Sequence, residues 1–221
     1  MEKLLVLGGK PIGSYEIVSY AKSLGIYTIV TDYLPKEQSP AKKIADESWD
    51  ISTANLGELS NKAKEAGIDG VYTGVHEFNV GKMIELCSIL KLPCFCTVEQ
   101  WRILNNKRKF KDLCIQYNIP VTEEYYIDDI LLKEDLDEKI YPVVVKPVDG
   151  SGSRGFSVCN NHEELILASK KAKKFSLTKS VLIEKYMDYK ESLIIHYTLV
   201  NGHVIFSGIS DKYSKKVFDS G

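Results

Sequence analysis

The sequence predicts an α/β protein in which a parallel-sheet amino-terminal part is followed by an α+β part. In the first part, short apolar runs alternate with helix-length amphipathic segments as far as Cys96, a pattern typical of a parallel sheet covered by helices. In the second part, a glycine-rich loop separates two apolar runs after Tyr141. Near the end, Asn201-Gly202 lies between two strand-like runs and predicts a tight hairpin turn.

Composition indicates a globular protein and excludes several function classes. Of the 221 residues, 44% are apolar and 27% are charged, with a formal net charge of −1. There is no basic field for nucleic acid or an acidic membrane, and no apolar run approaches the roughly 20 residues of a membrane span. Five cysteines without framework spacing predict reduced thiols and a cytoplasmic protein. For Cys94 and Cys96, buried structural thiols are favoured over metal ligands.

The first elements form a β-α-β unit. Strand, helix and strand are predicted at Leu4–Leu7, Ser14–Leu24 and Tyr27–Val30. This unit resembles a dinucleotide-binding fold, and Asp32 stands where such a fold has its ribose-binding acid. However, Lys10 replaces the second glycine of the fingerprint, so an architectural role is favoured for the turn Gly8–Gly13. An NAD site is the open alternative, and titration with NADH would test it.

The alternation then continues through the first part. Strands are predicted at Glu47–Ile51, Asp69–Thr73 and Leu92–Cys96, and helices at Asn55–Ala66 and Val80–Leu90. In parallel sheets, the loops at the carboxyl ends of the strands face the ligand. His76, Glu77 and Asn79 lie in such a loop and are candidate substrate-binding residues. Helix capping by Glu77 or Asn79, with His76 solvated, is the open alternative.

The second part contains helices, strands and the loop. The spacing from Thr97 to Gln100 is that of a capped helix start. A basic helix is predicted from Asn106 onward, and its lysines and arginine by themselves indicate a solvated helix face. Further segments are predicted as strands at Glu123–Ile127, Val143–Val145, Val181–Ile183, Ser192–Val200 and His203–Gly208, and as helices at Asp128–Lys139 and His162–Lys174.

The loop after Lys146 combines the features of an anion-binding segment. It contains Gly150, Ser151, Gly152, Ser153 and Gly155. Glycine lets backbone N–H groups approach an anion closely and adopt positive φ, and Lys146 adds a positive charge at the end of the preceding strand. An ordinary hairpin loop rich in glycine and serine is the alternative.

Four segments in this order resemble the ATP-grasp superfamily, near carbamoyl-phosphate synthase large chains and biotin carboxylase. They are LLVLGGKPIGS, NNKRKFKDLCIQYNIPV, YPVVVKPVDGSGSRGFSV and VLIEKYMDYKES. The resemblance covers essentially the whole chain. It implies a Rossmann-like pre-ATP-grasp domain at residues 1–97, ATP-grasp subdomain A with a glycine-rich lid loop at 98–180, and the start of an incomplete subdomain B at 181–221.

The resemblance also implies an ATP-binding set. Its members are Lys107, Lys146, Gly150, Ser151, Gly152, Ser153, Gly155, Glu184, Lys185, Met187 and Glu191. The two lysines would contact the phosphates, the loop would close over them, Glu184 through Met187 would contact adenine, and Glu191 would contact the ribose. Met187 and Val145 are further candidates for apolar contacts with the faces of the purine. For Val145, packing in the core is the alternative role.

The implied chemistry is activation of a carboxylate, or a bicarbonate-like substrate, as an acyl-phosphate. An amine or another nucleophile then attacks it and ADP is released, with Mg²⁺ as the metal. The family's metal-binding acids have no counterpart after Glu191, where only Asp211 and Asp219 follow. We therefore expect a truncated chain that is inactive alone, with metal ligands beyond Gly221 and catalytic residues unassigned. A non-catalytic nucleotide-binding fragment or degenerate paralogue is the alternative.

Overall fold

A computed structural model describes residues 1–126, 140–187 and 192–212. The chain divides into two compact units, residues 1–106 and 107–221. In the described ranges, every helix is too short or too polar to cross a membrane. The predicted helix at Asp128–Lys139 lies outside the described residues.

The first unit is built on a four-stranded parallel sheet of order β3-β2-β1-β4. Its strands are β1 (Lys3–Leu7), β2 (Tyr27–Thr31), β3 (Glu47–Trp49) and β4 (Gly70–Thr73). Its helices are α1 (Ile12–Ser23), α2 (Pro40–Ile44), α3 (Leu56–Ala66), α4 (Glu77–Leu90) and α5 (Val98–Leu104). The predicted Rossmann-like α/β architecture is confirmed.

Both faces of this sheet are apolar because alternate residues of each strand point to opposite sides. Leu5 and Leu7 of β1 belong to one buried cluster, which includes residues of α3 and α4. Val6 belongs to a second cluster, which includes Val18 of α1 and Ala41 of α2. The fully apolar run of β1 therefore follows from burial on two sides, as in other parallel sheets.

The segment Leu92–Cys96 is irregular, so the strand predicted there is wrong. Pro93 has no backbone N–H to donate to a ladder, which disfavours strand pairing. Cys94 is exposed rather than buried, and Cys96 is half-buried. All five cysteines lie among the described residues, and each is a free thiol. Burial, reinforced by the neighbouring Cys94, raises the pKa of the Cys87 thiol to about 12.

The second unit contains a three-stranded antiparallel sheet of order β6-β5-β7. Its strands are β5 (Val143–Pro147), β6 (Ser157–Cys159) and β7 (Val181–Lys185), and its helices are α6 (Lys107–Gln116) and α7 (His162–Phe175). Strands β8 (Ser192–Val200) and β9 (His203–Lys212) form a hairpin. Asn201 and Gly202 have φ of 49° and 78°, the positive values that a two-residue hairpin turn requires, so the predicted turn is confirmed.

Candidate functional site

The sheet of the second unit has one face that packs into the core and one face that carries charge. Val143 and Val145 of β5 lie in a buried cluster with residues of α7. Because successive residues of a strand alternate in direction, Val144 and Lys146 project from the opposite face. Val145 is fully buried, so its suggested contact with a purine is wrong, and Val144 is the β5 valine on the charged face.

Five charged side chains meet on this face, and we call them the ionic cluster. The members are Arg108 and Lys111 of α6, Glu124, Lys146 of β5 and Glu184 of β7. Lys111 Nζ lies 2.7 Å from Glu184 Oε1 and 3.6 Å from Glu124 Oε2. Lys146 Nζ pairs with the other oxygen of Glu184. Arg108 Nη2 lies 2.9 Å from Glu124 Oε1 and donates to Val181 O at 2.8 Å.

Burial within the ionic cluster is uneven. The side chains of Lys111, Glu124 and Glu184 are 8%, 5% and 9% exposed, whereas those of Lys146 and Arg108 are 26% and 34% exposed. The prediction of a solvated basic face on α6 is therefore wrong for Lys111. An isolated carboxylate buried to this degree would be strongly destabilising, so the cations are required by the two glutamates.

Glu184 is held in its ionised form by its neighbours. Burial acts to raise the pKa of this carboxyl, but hydrogen bonds from Lys111 and Lys146 outweigh burial and keep the pKa below its ordinary value. A buried carboxylate that remains charged is a strong hydrogen-bond acceptor. Glu184 is therefore suited to accept a hydrogen bond from a ligand amino group.

Lys107 lies at the start of α6 and contacts the glycine-rich loop. Its Nζ donates to Gly150 O at 2.6 Å, and its backbone N–H donates to Val148 O at 2.9 Å. Lys107 and Lys111 are four residues apart, which places them on one face of the helix. The helix thus directs Lys107 to the loop and Lys111 to the ionic cluster.

The glycines of the loop have two different structural roles. Gly152 and Gly155 adopt φ of 63° and 78°, and Ser153 between them adopts 56°. A Cβ atom at Gly150 or at Gly155 would come within 2.9 Å of the Pro147 ring, so both positions are closely packed. Ser151 and Gly152 lie on the part of the loop between these packed positions, and Gly152 and Ser153 are exposed.

The remaining predicted residues of the ATP-binding set follow β7. The backbone N–H of Lys185 donates to Glu123 O at 3.0 Å, so it is already used within the unit. Met187 is 43% exposed. Glu191 lies outside the described residues. The structure therefore brings Lys146 and Glu184 together and Lys107 onto the loop.

The candidate substrate residues lie in the first unit. His76 and Glu77 are exposed at the start of α4. Asn79 Oδ1 accepts a hydrogen bond from Thr53 Oγ1 at 2.9 Å. A Cβ atom at Gly8 would lie only 2.6 Å from Asn79 Nδ2. Asn79 therefore connects loops at the carboxyl edge of the parallel sheet, while His76 and Glu77 extend into solvent.

Asp32 is fully engaged by the protein itself. Its carboxylate accepts hydrogen bonds from Gly9 N at 2.7 Å and from Ser39 Oγ at 2.9 Å, and it pairs with Lys42 at 3.2 Å. A Cβ atom at Gly9 would lie 2.8 Å from Val30 Cγ1, so this turn requires glycine. These contacts are those of an architectural turn, and no observation favours the NAD alternative.

Within 1–126, 140–187 and 192–212, no three His, Cys, Asp or Glu side chains group closely enough to bind a metal ion.

Lys111, Glu124 and Arg108 were missed by the sequence prediction. The available signal was the spacing of four residues between Lys107 and Lys111, combined with the adjacent acids Glu123 and Glu124. These two signals do not reveal that Glu124 and Glu184 pair as an isolated β-bridge. The bridge brings both carboxylates to α6.

Known proteins resemble this chain in sequence. Residues 106–199 match the family model of the ATP-binding domain of the carbamoyl-phosphate synthase L chain. A formate-dependent phosphoribosylglycinamide formyltransferase of Prochlorococcus marinus is 31% identical over 201 residues, covering 87% of this chain and 50% of the relative. The chain thus spans about half the length of the curated relatives it matches.

Solved structures share the fold. A biotin carboxylase complex from Campylobacter jejuni has a TM-score of 0.78 at 21% identity, over 96% of this chain and 51% of that one. An L-amino acid ligase from Bacillus licheniformis has a TM-score of 0.76 at 19% identity, over 98% and 52%. The family-model match, the curated relative and the shared fold are consistent with the resemblance to the ATP-grasp superfamily.

Proposed function

We propose that the second unit binds ATP and that the whole protein uses ATP to activate a carboxylate. The observation that carries this proposal is the arrangement around the glycine-rich loop. Lys146 lies on the strand that leads into the loop, and Lys107 donates to Gly150 O within it. Two ammonium groups beside a loop with exposed backbone suit a polyphosphate, because point charges and N–H groups neutralise its oxygens.

In this proposal, Glu184 and two valines bind the base. Val144 lies in register with Val158 on one side and with Glu184 on the other. The three residues therefore form one row across the sheet on the same face. Val158 is 39% exposed, so the row combines an accessible apolar surface with a charged acceptor. A purine with an amino group fits such a row, with its ring on the valines and its amino group on the carboxylate.

The remaining assignments complete the ATP-binding set. Ser151, Gly152 and Ser153 would close over the phosphates, Lys185 and Met187 would border the base, and Glu191 would contact the ribose.

The proposed domains are a pre-ATP-grasp domain at residues 1–97, subdomain A at 98–180, and the start of subdomain B at 181–221.

The proposed reaction forms an acyl-phosphate and ADP, and an amine or another nucleophile then displaces phosphate. Transfer of a phosphoryl group depends mainly on positioning and charge neutralisation. Lys107, Lys146 and the loop amides would supply part of that neutralisation, and Mg²⁺ would supply more when bound. His76, Glu77 and Asn79 remain the proposed substrate residues, in a cytoplasmic enzyme. Formation of ADP that depends on an added carboxylate would test this chemistry.

Lys146→Ala tests the nucleotide site directly. Removing a charge-assisted contact to phosphate is expected to weaken ATP binding by about 1.5–3 kcal/mol, which is roughly a 10-fold to 150-fold increase in Kd. Isothermal titration calorimetry with the 221-residue chain measures the change.

The matched control is Lys10→Ala, which removes an exposed lysine from the first unit. Its ATP affinity is expected to equal that of the wild type. Equal affinities for ATP in Lys146→Ala and the wild type would rule out the proposed phosphate contact.

A further inference from the structure

The charges of the ionic cluster do not balance. Three cations, Arg108, Lys111 and Lys146, accompany two carboxylates, Glu124 and Glu184. The cluster therefore carries one surplus positive charge. If one cation moved to an anionic ligand, the others could still neutralise both glutamates.

Lys146 can leave the cluster without isolating a buried charge, and it is the more exposed of the two cations on Glu184. Arg108 contacts Glu124 and also donates to Val181 O. Lys111 is 8% exposed and contacts both carboxylates. Lys146 contacts Glu184 alone within the cluster and is 26% exposed. After it leaves, Glu124 keeps Arg108 and Glu184 keeps Lys111.

We propose that Lys111 is a positioning residue that holds the Glu184 carboxylate in place while Lys146 moves from Glu184 to the phosphates of a bound nucleotide. This inference rests on the proposed ATP site and adds to it a residue that acts through Glu184 and Lys146. Without Lys111, release of Lys146 would leave Glu184 buried and unpaired, a state that is strongly disfavoured. Lys146 would then stay with Glu184 and be withheld from phosphate.

The exchange couples the two ends of the nucleotide site. In the nucleotide-free arrangement, Glu184 competes with phosphate for Lys146. Once Lys146 has left, Glu184 has an oxygen available for an amino group of the base, while Lys111 still holds its other oxygen. A nucleotide with a 6-oxo group in place of the 6-amino group would present an acceptor to this carboxylate and should bind less well.

The test measures three ligands by competition against a fluorescent nucleotide: ATP, ITP and inorganic tripolyphosphate, which has phosphates but no base. In Lys111→Met, affinity for both ATP and tripolyphosphate is expected to fall about 10-fold or more, because Lys146 is retained by Glu184. Lys111→Arg keeps the charge and should stay within about threefold of the wild type.

A second substitution separates positioning from a structural role. In Lys111→Met/Glu184→Gln, residue 184 no longer carries a charge that could retain Lys146, so tripolyphosphate affinity should return to within about threefold of the wild type. The double variant should no longer bind ATP more tightly than ITP. Glu184→Gln alone should bind tripolyphosphate about threefold to tenfold more tightly than the wild type, since Lys146 is freed. Lys170→Met, which changes an exposed lysine of α7 in the same unit, is the charge control.

The outcomes distinguish this inference from the proposed function. If the wild type binds neither ATP nor tripolyphosphate, the ATP site itself is refuted. If the wild type binds both and Lys111→Met binds tripolyphosphate equally well, only the role of Lys111 is refuted. The role of Lys111 is also refuted if Lys111→Met/Glu184→Gln loses as much tripolyphosphate affinity as Lys111→Met does. Circular dichroism identifies variants that fold. Should Lys111→Met fail to fold, Glu184→Gln decides, because unchanged or weaker tripolyphosphate binding in that variant contradicts the exchange.

Discussion

Replacing Lys42 with methionine is expected to lower the free energy of unfolding of the first unit by about 3–5 kcal/mol. The Lys42 side chain is completely buried. Its Nζ lies 3.2 Å from Asp32 Oδ1 and donates to the carbonyl oxygens of Asp32 and Leu34 at 3.0 and 2.5 Å. Methionine fills a similar volume but can neither neutralise the carboxylate nor donate to the carbonyls.

The large effect follows from the burial of Asp32, which is 8% exposed. Removing one member of a buried ion pair leaves the other charge without compensation, and this costs more than the pair itself contributes. Asp50, at 2.8 Å from Lys42, is 73% exposed, so its loss of a partner adds little. Because Asp32 also holds Gly9 N, the turn after β1 should loosen as well.

Urea unfolding followed by tryptophan fluorescence measures this effect in the correct unit. The sequence has two tryptophans, Trp49 and Trp101, and both belong to residues 1–106. Lys43→Met is the control, because Lys43 is exposed on the same helix, and it should change stability by less than about 0.5 kcal/mol. A loss below about 1 kcal/mol in Lys42→Met would mean that the Asp32 site relaxes to admit water.

Much of the fold was predictable because local signals and burial agree. The spacing of Thr97 and Gln100 predicted a helix start, and the structure has the reciprocal bonds, Gln100 N to Thr97 Oγ1 at 3.2 Å and Thr97 N to Gln100 Oε1 at 2.8 Å. Strand β1 was predictable from its uninterrupted apolar run, which only burial on two faces explains. At Leu92–Cys96 the apolar run was misleading, because Pro93 removes a ladder donor.

The ionic cluster was only partly predictable, since its contacts join residues distant in sequence. Lys111 and Glu184 are 73 positions apart, and no local pattern relates them. A lysine in a basic helical run is usually solvated, so Lys111 could be identified only once the sheet register was known. Lys42 was also missed, although its partners lie only 8 to 10 positions away, because a lysine on a short helix is usually solvated. By contrast, Lys107 and Lys146 adjoin recognisable motifs, and their placement beside the glycine-rich loop was expected.

Lys111→Met is expected to destabilise the second unit by about 1.5–3 kcal/mol at neutral pH, the scale of a hydrogen bond to a charged group, and this loss should shrink as the pH falls. In the wild type, burial would raise the pKa of Glu184, but Lys111 and Lys146 hold it below the ordinary value of 4.5. Stabilisation from this group is therefore present above pH 4.5 and is lost as the pH falls through the lowered folded value.

In the variant, Glu184 keeps Lys146 but loses its bond to Lys111. Its pKa in the folded variant must then lie above that in the folded wild type, because burial is opposed by one cation instead of two. As the pH falls, the Glu184 carboxylate is therefore protonated at a higher pH in the variant than in the wild type, and protonation removes the buried charge. The difference in stability between the two proteins should accordingly be largest near pH 7 and smaller near pH 4.5.

Peptide-resolved hydrogen exchange between pH 7 and pH 4.5, corrected for the intrinsic exchange rate, measures this difference for the peptides that cover β5 and α7. The tryptophans give an internal control, since both lie in the first unit and their urea transition should be the same in the variant and the wild type. Lys170→Met, which changes an exposed lysine of α7, should show no pH-dependent loss. A difference that stayed constant, or grew, towards acid pH would mean that Lys111 stabilises the unit by packing of its aliphatic stem, and that the charge of Glu184 is compensated without it.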